Sequence, residues 1–518
     1  MLPPVAIKAC HRHAAHAGVG SAAYERRSPE QGVLYQALLG HLETFLADAV
    51  DAHGGAGLPK FVEKELRAYL SCGVLSRGFA RFRCADCASE RLVALSCKGR
   101  GFCPSCGGKR MTALGAELTD HVVPFVPVRQ FVLSLPHRLR YRLAYDHARC
   151  IAVLRIFVRA LMSFYRKRAK KRGLRDGKSG SVTFIQRFGS AANLHIHFHV
   201  IVLDGVFTES ADGELSFHAA PPPTDEELAQ LLGAVRTRTL RYLTRQGLLD
   251  DDRADFDPLC DEAPLLANCY ASSIGGRQTL GSRPGSPLAR LGHDPDTPRT
   301  ESKGRLQAHL DGFDLHAALT VAAQHPDGRK PLEKLLRYCA RPPIAQHRLS
   351  RLPDGRIALQ LKTPWSDGTS HVVFEALDLI AKLAALIPRP HKNLVLYHGV
   401  LSANAAWRSR VVAYGRLPQP TAPDAAIEAS SDAEPPKPPV PTGPRDRRRL
   451  WADLMRRAFG YDLQTCPSCG GKMQLLAVIL ERTAIRKILA HLRLPSEPPP
   501  TAPARASPEP ELPFDDVA

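Results

Sequence analysis

Three histidines alternate with apolar residues in the segment Leu-His-Ile-His-Phe-His-Val at residues 194–200. Successive side chains of a β-strand point to opposite faces, so His195, His197 and His199 would share one face of a sheet. The apolar run that continues to Leu203 predicts a buried, central strand. Neutral imidazoles are ligands for divalent transition metals. The pattern therefore predicts a metal site, although single histidines on strands are usually hydrogen-bonded residues without a ligand.

A second kind of metal site is indicated by two Cys-x-x-Cys pairs. Cys84 and Cys87 form the first pair, and Cys103 and Cys106 follow after fifteen intervening residues. This spacing is typical of a tetrahedral four-thiolate zinc site, where the metal supplies folding energy to a segment too short for a large core. We therefore predict one structural Zn²⁺ site from these four residues. The alternative is two unrelated pairs of buried thiols.

Four further cysteines lie outside this predicted site, and their spacing does not assign them to a second four-cysteine site. Cys72 and Cys97 lie beside the first two pairs and are either substitute ligands or buried thiols. The segment Cys466-Pro-Ser-Cys469-Gly-Gly-Lys resembles half of a zinc ribbon, but residues 447–494 contain no second pair. Either ligands from outside this segment complete a zinc site, or the motif has lost its function.

Charge and length limit the class of protein. The chain has 518 residues, with 70 Lys+Arg against 51 Asp+Glu, a net charge of +19. Such an excess favours a polyanionic partner, most simply nucleic acid. Residues 151–164 and 376–387 are apolar but contain charged side chains, so we expect no membrane span, and the N-terminus lacks a signal-peptide pattern. In the intracellular location this suggests, thirteen cysteines indicate metal ligands or free thiols rather than disulfides.

Tyr338 is a candidate nucleophile because of its place in the segment Leu-Leu-Arg-Tyr-Cys-Ala-Arg-Pro-Pro at residues 335–343. The two prolines predict that a helix ends here, with Tyr338 in its last turn. A tyrosine phenolate can attack phosphorus and form a phosphotyrosine, which conserves the phosphodiester bond energy for religation. Arg337 and Arg341 could hold the phosphate. Taken alone, Tyr338 would be assigned to packing, as most helical tyrosines are.

A run of basic residues at the end of a predicted helix over residues 146–170 is a second candidate DNA contact. Lysine and arginine neutralise backbone phosphates without reading sequence. The alternative is a solvated helix end. The candidate residues are Arg166, Lys167, Arg168, Lys170, Lys171 and Arg172.

Composition and periodicity divide the chain into six expected segments. Residues 120–410 mix strands and helices, with strands expected at 128–135, 182–188 and 195–203, and the polar residues 207–311 look like an insertion of loops. The expected segments are a flexible leader (1–33), a helical and zinc-binding DNA-contact domain (34–115), the catalytic domain (120–410), a Pro-rich linker (416–446), a small Cys-x-x-Cys module (447–494) and a disordered tail (495–518).

Together these motifs resemble the HUH superfamily of single-strand DNA endonucleases, named for two histidines separated by a bulky hydrophobic residue. Within it, the chain is similar to the rolling-circle transposases of the insertion sequence 91 family. The resemblance covers most of residues 60–410. Its landmarks are Arg-Phe-Arg-Cys-Ala-Asp-Cys (81–87), Ser-Cys-Lys-Gly-Arg-Gly-Phe-Cys-Pro-Ser-Cys (96–106), Asn-Leu-His-Ile-His-Phe-His-Val-Ile-Val-Leu-Asp-Gly-Val-Phe (193–207), Gly-Phe-Asp-Leu-His-Ala (312–317), Arg-Tyr-Cys-Ala-Arg-Pro-Pro (337–343) and Leu-Tyr-His-Gly-Val (396–400).

The resemblance implies a fold and a set of catalytic residues. The fold is α+β, with a central antiparallel sheet flanked by helices, the metal histidines on a middle strand and the tyrosine on a neighbouring helix. His197 and His199 match the histidine pair and Tyr338 matches the nucleophile. His195 is the first candidate for a third ligand, and His316 is the second because it lies in a landmark.

The position where some relatives carry a second tyrosine, four residues before Tyr338, is occupied by Lys334. The chain therefore resembles a single-tyrosine variant, and a mechanism that needs two simultaneous phosphotyrosine links within one subunit is not expected.

The resemblance also implies an activity. Single-stranded or hairpin DNA ends of a mobile element would be nicked through a 5′-phosphotyrosine, with catalytic Mg²⁺ or Mn²⁺ and structural Zn²⁺, in the cytoplasm at the bacterial nucleoid. No membrane partner is expected, and the oligomeric state and DNA sequence are not predicted. Three alternatives remain: a relaxase or replication initiator with the same chemistry, a catalytically inactive zinc-dependent DNA-binding protein, and a metallohydrolase that uses three histidines and water.

Overall fold

A computed structural model describes residues 28–51, 55, 57–248, 257–293, 305–416, 453–454, 456–457, 462 and 464–505. The chain divides into two compact units. The smaller unit contains residues 81–91 and the described part of 432–477, and the larger unit contains the remaining described residues. Most of the expected leader, linker and tail lies outside the described residues.

Within these ranges the chain forms sixteen strands. They are β1 (Phe79–Cys84), β2 (Glu90–Ala94), β3 (Val128–Ser134), β4 (Gly180–Phe188), β5 (Leu194–Leu203), β6 (Gly205–Glu209), β7 (Leu215–Ala219), β8 (Ala289–Leu291), β9 (Gln307–Leu310), β10 (Phe313–His316), β11 (Thr320–Val321), β12 (Leu349–Arg351), β13 (Ile357–Gln360), β14 (His371–Phe374), β15 (Val395–Gly399) and β16 (Met473–Ile479).

Twelve α-helices lie wholly within the described residues, and none of them combines the length and hydropathy needed to span a bilayer. They are α1 (Val33–Asp51), α2 (Lys60–Tyr69), α3 (Pro104–His121), α4 (His137–Tyr145), α5 (His147–Lys171), α6 (Asp225–Arg245), α7 (Pro258–Glu262), α8 (Pro264–Gly275), α9 (Pro326–Cys339), α10 (Ala376–Leu386), α11 (Arg408–Ala413) and α12 (Arg482–His491).

A seven-stranded antiparallel sheet forms the centre of the larger unit. Its order is β15-β4-β5-β3-β10-β9, and β11 also pairs with β3. The histidine strand β5 lies in the middle, between β4 and β3. A four-stranded sheet (β12-β13-β14-β8) and the hairpin β6-β7 complete the described strands of this unit. The predicted α+β class with a central antiparallel sheet is confirmed.

Apolar cores cover both faces of the seven-stranded sheet. On one face, Ile196, Phe198 and Val200 join a core that includes the buried side of α5. On the other face, Val182, Phe184 and Ile201 pack with the leucines of α9, and α3 packs beside α9. Directly paired residues of antiparallel strands share a face, and the register pairs Phe184 with His199. The histidines therefore lie on the α9 face.

Residues 207–311 were predicted to be loops, and this prediction is wrong for the described part. The segment contains β7, β8, β9, most of β6 and the helices α6, α7 and α8. The helix α6 begins with a capping box, because the Thr224 hydroxyl accepts from the Glu227 amide (3.2 Å) and the Glu227 carboxylate accepts from the Thr224 amide (3.1 Å). The helix buries a stripe of apolar residues that includes Leu228 and Leu232. The charged residues of its exposed side make the segment polar overall, so the sequence indicated loops.

The described residues of the smaller unit form little apolar core. It contains most of a three-stranded sheet in the order β16-β1-β2. Its buried cluster consists of Cys84, Cys466 and Met473, with Phe82 partly buried against them. Units of this size usually need metal ions or disulfides to fold, because too little surface is buried.

Candidate active site

Strand β5 presents its three histidines on one side and buried apolar residues on the other. Ile196, Phe198 and Val200 are at most 1% exposed, which anchors the strand in the core. On the opposite face His197 is 8% exposed and His199 is 5% exposed. The alternation that the sequence predicted is thus present, and it holds the imidazoles in a fixed row beneath α9.

Hydrogen bonds orient the ring nitrogens of His197 and His199 towards each other. The Nδ1–H of His197 donates to the backbone carbonyl of His195 (3.0 Å), which leaves its Nε2 with a free lone pair. The Nδ1 of His199 contacts the Gln130 amide (2.8 Å). The two Nε2 atoms lie 3.1 Å apart, so one proton can be shared between them.

This separation also fits two ligands of one metal ion. Adjacent ligands of an octahedral ion with bonds of about 2.1 Å lie about 3.0 Å apart. A divalent ion would take the place of the single shared proton, and imidazole nitrogens are donors that suit first-row transition metals. His197 and His199 therefore have the donor atoms, the orientation and the spacing of a metal-binding pair.

All three imidazoles are held in the neutral form that metals require. Burial is the main cause, since it disfavours the charged ring. It lowers the pKa of His195 to about 3, with a further contribution from the neighbouring His197. Burial lowers the pKa of His197 to about 4, and lowers the pKa of His199 to about 2 with help from His197 and the Arg341 charge.

Neither candidate third ligand completes the site in the described residues. His195 has a buried Nε2 without a hydrogen-bond partner, and its ring centre lies 4.9 Å from that of His197. His316 is exposed, and its Nε2 lies 2.9 Å from the Asp314 carboxylate. It shares the histidine face but is separated from β5 by β3. In the described ranges only cysteine groups bring three or more ligand atoms within 4.8 Å of one another.

Tyr338 lies in the last turn of α9, as its sequence context predicted. Its ring centre is 6.1 Å from the His199 ring, edge to face at 87°, and the side chain is 37% exposed. Two cations lie against the phenol ring: the Arg341 guanidinium carbon at 4.3 Å and the Lys362 ammonium at 4.4 Å. The Arg341 Nε is buried and has no hydrogen-bond partner among the described residues.

Two glutamines that the sequence analysis did not identify connect the tyrosine helix to the sheet. The Gln186 amide donates to the backbone carbonyl of Cys339 (2.6 Å), and the Gln130 amide contacts the Cys339 sulfur (3.3 Å) as well as His199. Both glutamines point to the histidine face, because the register pairs Gln186 with His197 and Gln130 with Ile201. Their role follows from strand register, which has no short sequence motif.

The remaining predicted DNA-contact residues are in different environments. Arg337 packs against Gly115 of α3. The contact is so close that a Cβ added to Gly115 would lie 2.6 Å from the Cγ of Arg337. Arg168 is bound to the start of α6, through the Glu227 carboxylate (3.2 Å) and the carbonyls of Pro221 and Pro222 (2.9 Å each).

The rest of the basic run is on the surface. Arg172 donates to the Ala219 carbonyl (2.7 Å) while remaining exposed. Four other side chains are also exposed, which leaves this end of α5 as a basic surface: Arg166, Lys167, Lys170 and Lys171.

The cysteines form two groups rather than the single group that their spacing predicted. Cys103 and Cys106 lie with Cys72 and Cys97, with sulfur–sulfur distances of 3.5–3.8 Å. The separate group consists of Cys84, Cys87, Cys466 and Cys469. The predicted grouping is therefore wrong, although each of its four residues lies in a four-cysteine cluster. Spacing along the chain identified the pairs, but it could not identify which pairs meet.

Comparisons with known proteins match this architecture. Residues 41–135 match the family model described as "transposase zinc-binding domain", and residues 180–409 match "putative transposase". A transposase for insertion sequence element IS801 from Pseudomonas savastanoi pv. phaseolicola is 24% identical over 433 residues, which cover 82% of this chain and 85% of the relative. No solved structure matches the chain.

A zinc-binding region followed by a transposase region, matched over most of the length of a transposase, defines the chain as a DNA transposase. It belongs to the insertion sequence 91 family.

Proposed function

We propose that this transposase nicks and rejoins single-stranded DNA ends of its element through a 5′-phosphotyrosine at Tyr338. The observation that carries the proposal is the position of the Tyr338 ring 6.1 Å from His199, whose Nε2 faces that of His197 at 3.1 Å. A candidate nucleophile and a candidate metal-binding pair thus lie on one face of the sheet.

The reaction that we propose conserves the phosphodiester bond. The Tyr338 phenol oxygen attacks the scissile phosphorus, and the bond from phosphorus to the 3′ oxygen of the preceding nucleotide breaks. The proton lost by the phenol is balanced by the proton gained by the leaving 3′ oxygen. The products are a 5′-phosphotyrosine and a free 3′-hydroxyl, and attack by a 3′-hydroxyl on the phosphotyrosine restores a continuous strand.

The residues around Tyr338 have separate roles in this proposal. Arg341 and Lys362 lie against the phenol ring, where they would neutralise the scissile phosphate. His197 and His199 would hold Mg²⁺ or Mn²⁺, and imidazole donors favour Mn²⁺ of the two. When bound, a divalent ion would polarise the phosphate oxygens. His195 is our candidate for the third protein ligand.

A gel assay tests this proposal. Labelled single-stranded DNA carrying the element's own ends is incubated with full-length protein and Mn²⁺ or Mg²⁺, and the products are separated under denaturing conditions. We expect a metal-dependent protein–DNA adduct from the wild type, and loss of the adduct in Tyr338→Phe and in the double variant His197→Ala/His199→Ala.

The matched control is Tyr397→Phe, because Tyr397 is on the edge strand β15 and packs near Arg408 instead of the histidines. This variant should form the adduct as the wild type does. Cleavage that survives Tyr338→Phe would contradict the proposal and favour water as the nucleophile. DNA binding without any adduct would favour the inactive DNA-binding alternative.

A further inference from the structure

The four-cysteine group of the smaller unit has the dimensions of a metal site. Its sulfurs all lie within 4.8 Å of one another, with Cys84 and Cys469 at 3.5 Å and Cys87 and Cys466 at 3.6 Å. A disulfide requires about 2.05 Å, so these are separate thiols. In a tetrahedral zinc site with Zn–S bonds of about 2.3 Å, two sulfurs lie about 3.8 Å apart.

The backbone around the C-terminal pair has the turn that such a site requires. The Cys466 amide donates to the Gly471 carbonyl (2.7 Å), and the Gly470 amide donates to the Cys466 carbonyl (2.9 Å). Gly470 has φ +74°, a conformation that favours glycine. The Gly471 amide points to the Cys469 sulfur (3.4 Å), as expected for a donor that stabilises a thiolate.

The second glycine allows the two pairs to approach each other. A Cβ on Gly471 would overlap the Asp86 carboxylate and lie 3.2 Å from the Cys84 sulfur. The absence of a side chain at residue 471 thus leaves room for the Asp86 carboxylate and the Cys84 sulfur beside the C-terminal pair. This is a second observation, independent of the sulfur distances, that indicates a built site.

Apolar packing alone gives this unit little stability. Among the described residues of this unit, the buried cluster has only Met473 and two of the cysteines, and Cys87 and Cys469 are exposed. A bound ion would therefore supply much of the free energy that keeps the two pairs together.

We propose that the transposase holds two structural zinc ions. The second is bound by Cys84, Cys87, Cys466 and Cys469, and it links the cysteine pair near the start of the described residues to the pair near their end. The sulfurs in contact belong to residues that are 385 positions apart (Cys84 and Cys469) and 379 positions apart (Cys87 and Cys466), so the ion closes a very long loop. The matched zinc-binding region ends at residue 135 and does not include the C-terminal pair. The C-terminal Cys-x-x-Cys motif thus acquires a role as half of a discontinuous zinc site.

Zinc content measured on purified full-length protein tests the proposal. We expect two zinc ions per wild-type chain and one in Cys466→Ser/Cys469→Ser. The variant Cys84→Ser/Cys87→Ser should also retain one zinc ion. The variant that carries all four substitutions should likewise retain one, because both pairs belong to the same site. The control Cys260→Ser, an exposed cysteine outside both groups, should retain two.

Two results would overturn the proposal. A wild-type content of one ion would exclude two sites. Two ions in the wild type that are both retained by Cys466→Ser/Cys469→Ser would remove the C-terminal pair from zinc binding. The zinc count does not involve DNA, so it can fail without affecting the phosphotyrosine proposal, and the adduct assay can fail without affecting the zinc count.

Thiol alkylation of the wild type provides a measurement that does not depend on a variant folding correctly. Cys87 and Cys469 are exposed and should react with iodoacetamide unless a metal covers them. We expect both to be protected and to become reactive together when a chelator is added, while labelling of exposed Cys260 stays constant. Equal labelling of Cys87 and Cys469 with and without the chelator would contradict the second site.

Discussion

At the residue scale, the active site depends on which nitrogen of each histidine is free. The His195 carbonyl fixes the His197 ring, and Gln130 contacts the Nδ1 of His199. The partner of the second ring nitrogen orients a metal-binding histidine and sets its tautomer. The Gln130 amide can turn its oxygen to accept Nδ1–H, which would leave the His199 Nε2 free for a metal.

We predict that Gln130→Ala weakens metal binding more than it weakens the fold. The Mn²⁺ concentration for half-maximal adduct formation should rise about tenfold or more, and saturating Mn²⁺ should restore much of the activity. Gln130→Glu keeps a hydrogen-bond acceptor and should resemble the wild type. Gln307→Ala, on the edge strand β9, is the matched control. An unchanged Mn²⁺ dependence in Gln130→Ala would show that Gln130 does not position His199.

At the element scale, the sequence predicted those features that depend only on residues close together in the chain. The row His195, His197, His199 needs only the alternation of one strand, and the end of α9 at Cys339 follows from the prolines just beyond it. Gln130 and Gln186 could not be identified in this way, because their meeting with α9 depends on the register of β3 and β4. The helix α6 was missed although Thr224 and Glu227 have the spacing of a capping box.

This capping box leads to a prediction about α6. Thr224→Ala removes the hydroxyl that accepts from the Glu227 amide, and such losses typically cost about 1 kcal/mol. Hydrogen exchange of the amides in the first turn of α6 should become roughly fivefold faster. Thr244→Ala is the control, since its hydroxyl donates to the Leu240 carbonyl at the other end of the helix. Equal exchange in the two variants would rule out a stabilising role for the cap.

At the scale of the whole molecule, a buried charged network fixes the position of α5 on the sheet. Arg129 of β3 forms an ion pair with Asp204 (2.9 Å) and donates to the Ala317 carbonyl (3.0 Å). The Tyr165 hydroxyl of α5 donates to the same Asp204 carboxylate (2.8 Å). All three residues are at most 5% exposed, so removing one partner leaves a charge or a polar group buried without compensation.

We therefore predict that Asp204→Ala is strongly destabilising, by about 3–5 kcal/mol, because it leaves the Arg129 charge unpaired in the core. The thermal unfolding midpoint of the purified protein should fall well below that of the wild type. Asp212→Ala, at an exposed turn, should leave the midpoint unchanged. Similar midpoints for the two variants would mean that the network contributes little to stability.

The main error of the prediction from sequence, the grouping of the cysteine pairs, concerns contacts between distant parts of the chain. Spacing predicted that Cys84, Cys87, Cys103 and Cys106 share one ion, but in the folded chain the two pairs lie in different four-cysteine groups. The partner of Cys87 is Cys466, 379 residues away, and no local pattern encodes that contact. The net charge of +19, by contrast, is a property of the whole chain and correctly favoured a nucleic-acid partner.

The central claim is that Tyr338 becomes covalently attached to DNA, and peptide mapping of the adduct tests it most directly. Wild-type protein is reacted with single-stranded element ends, digested with nuclease and protease, and analysed by mass spectrometry. We expect a nucleotide joined through its 5′ phosphate to the peptide that contains Tyr338. A nucleotide on any other residue, or cleaved DNA without a modified peptide, would contradict it.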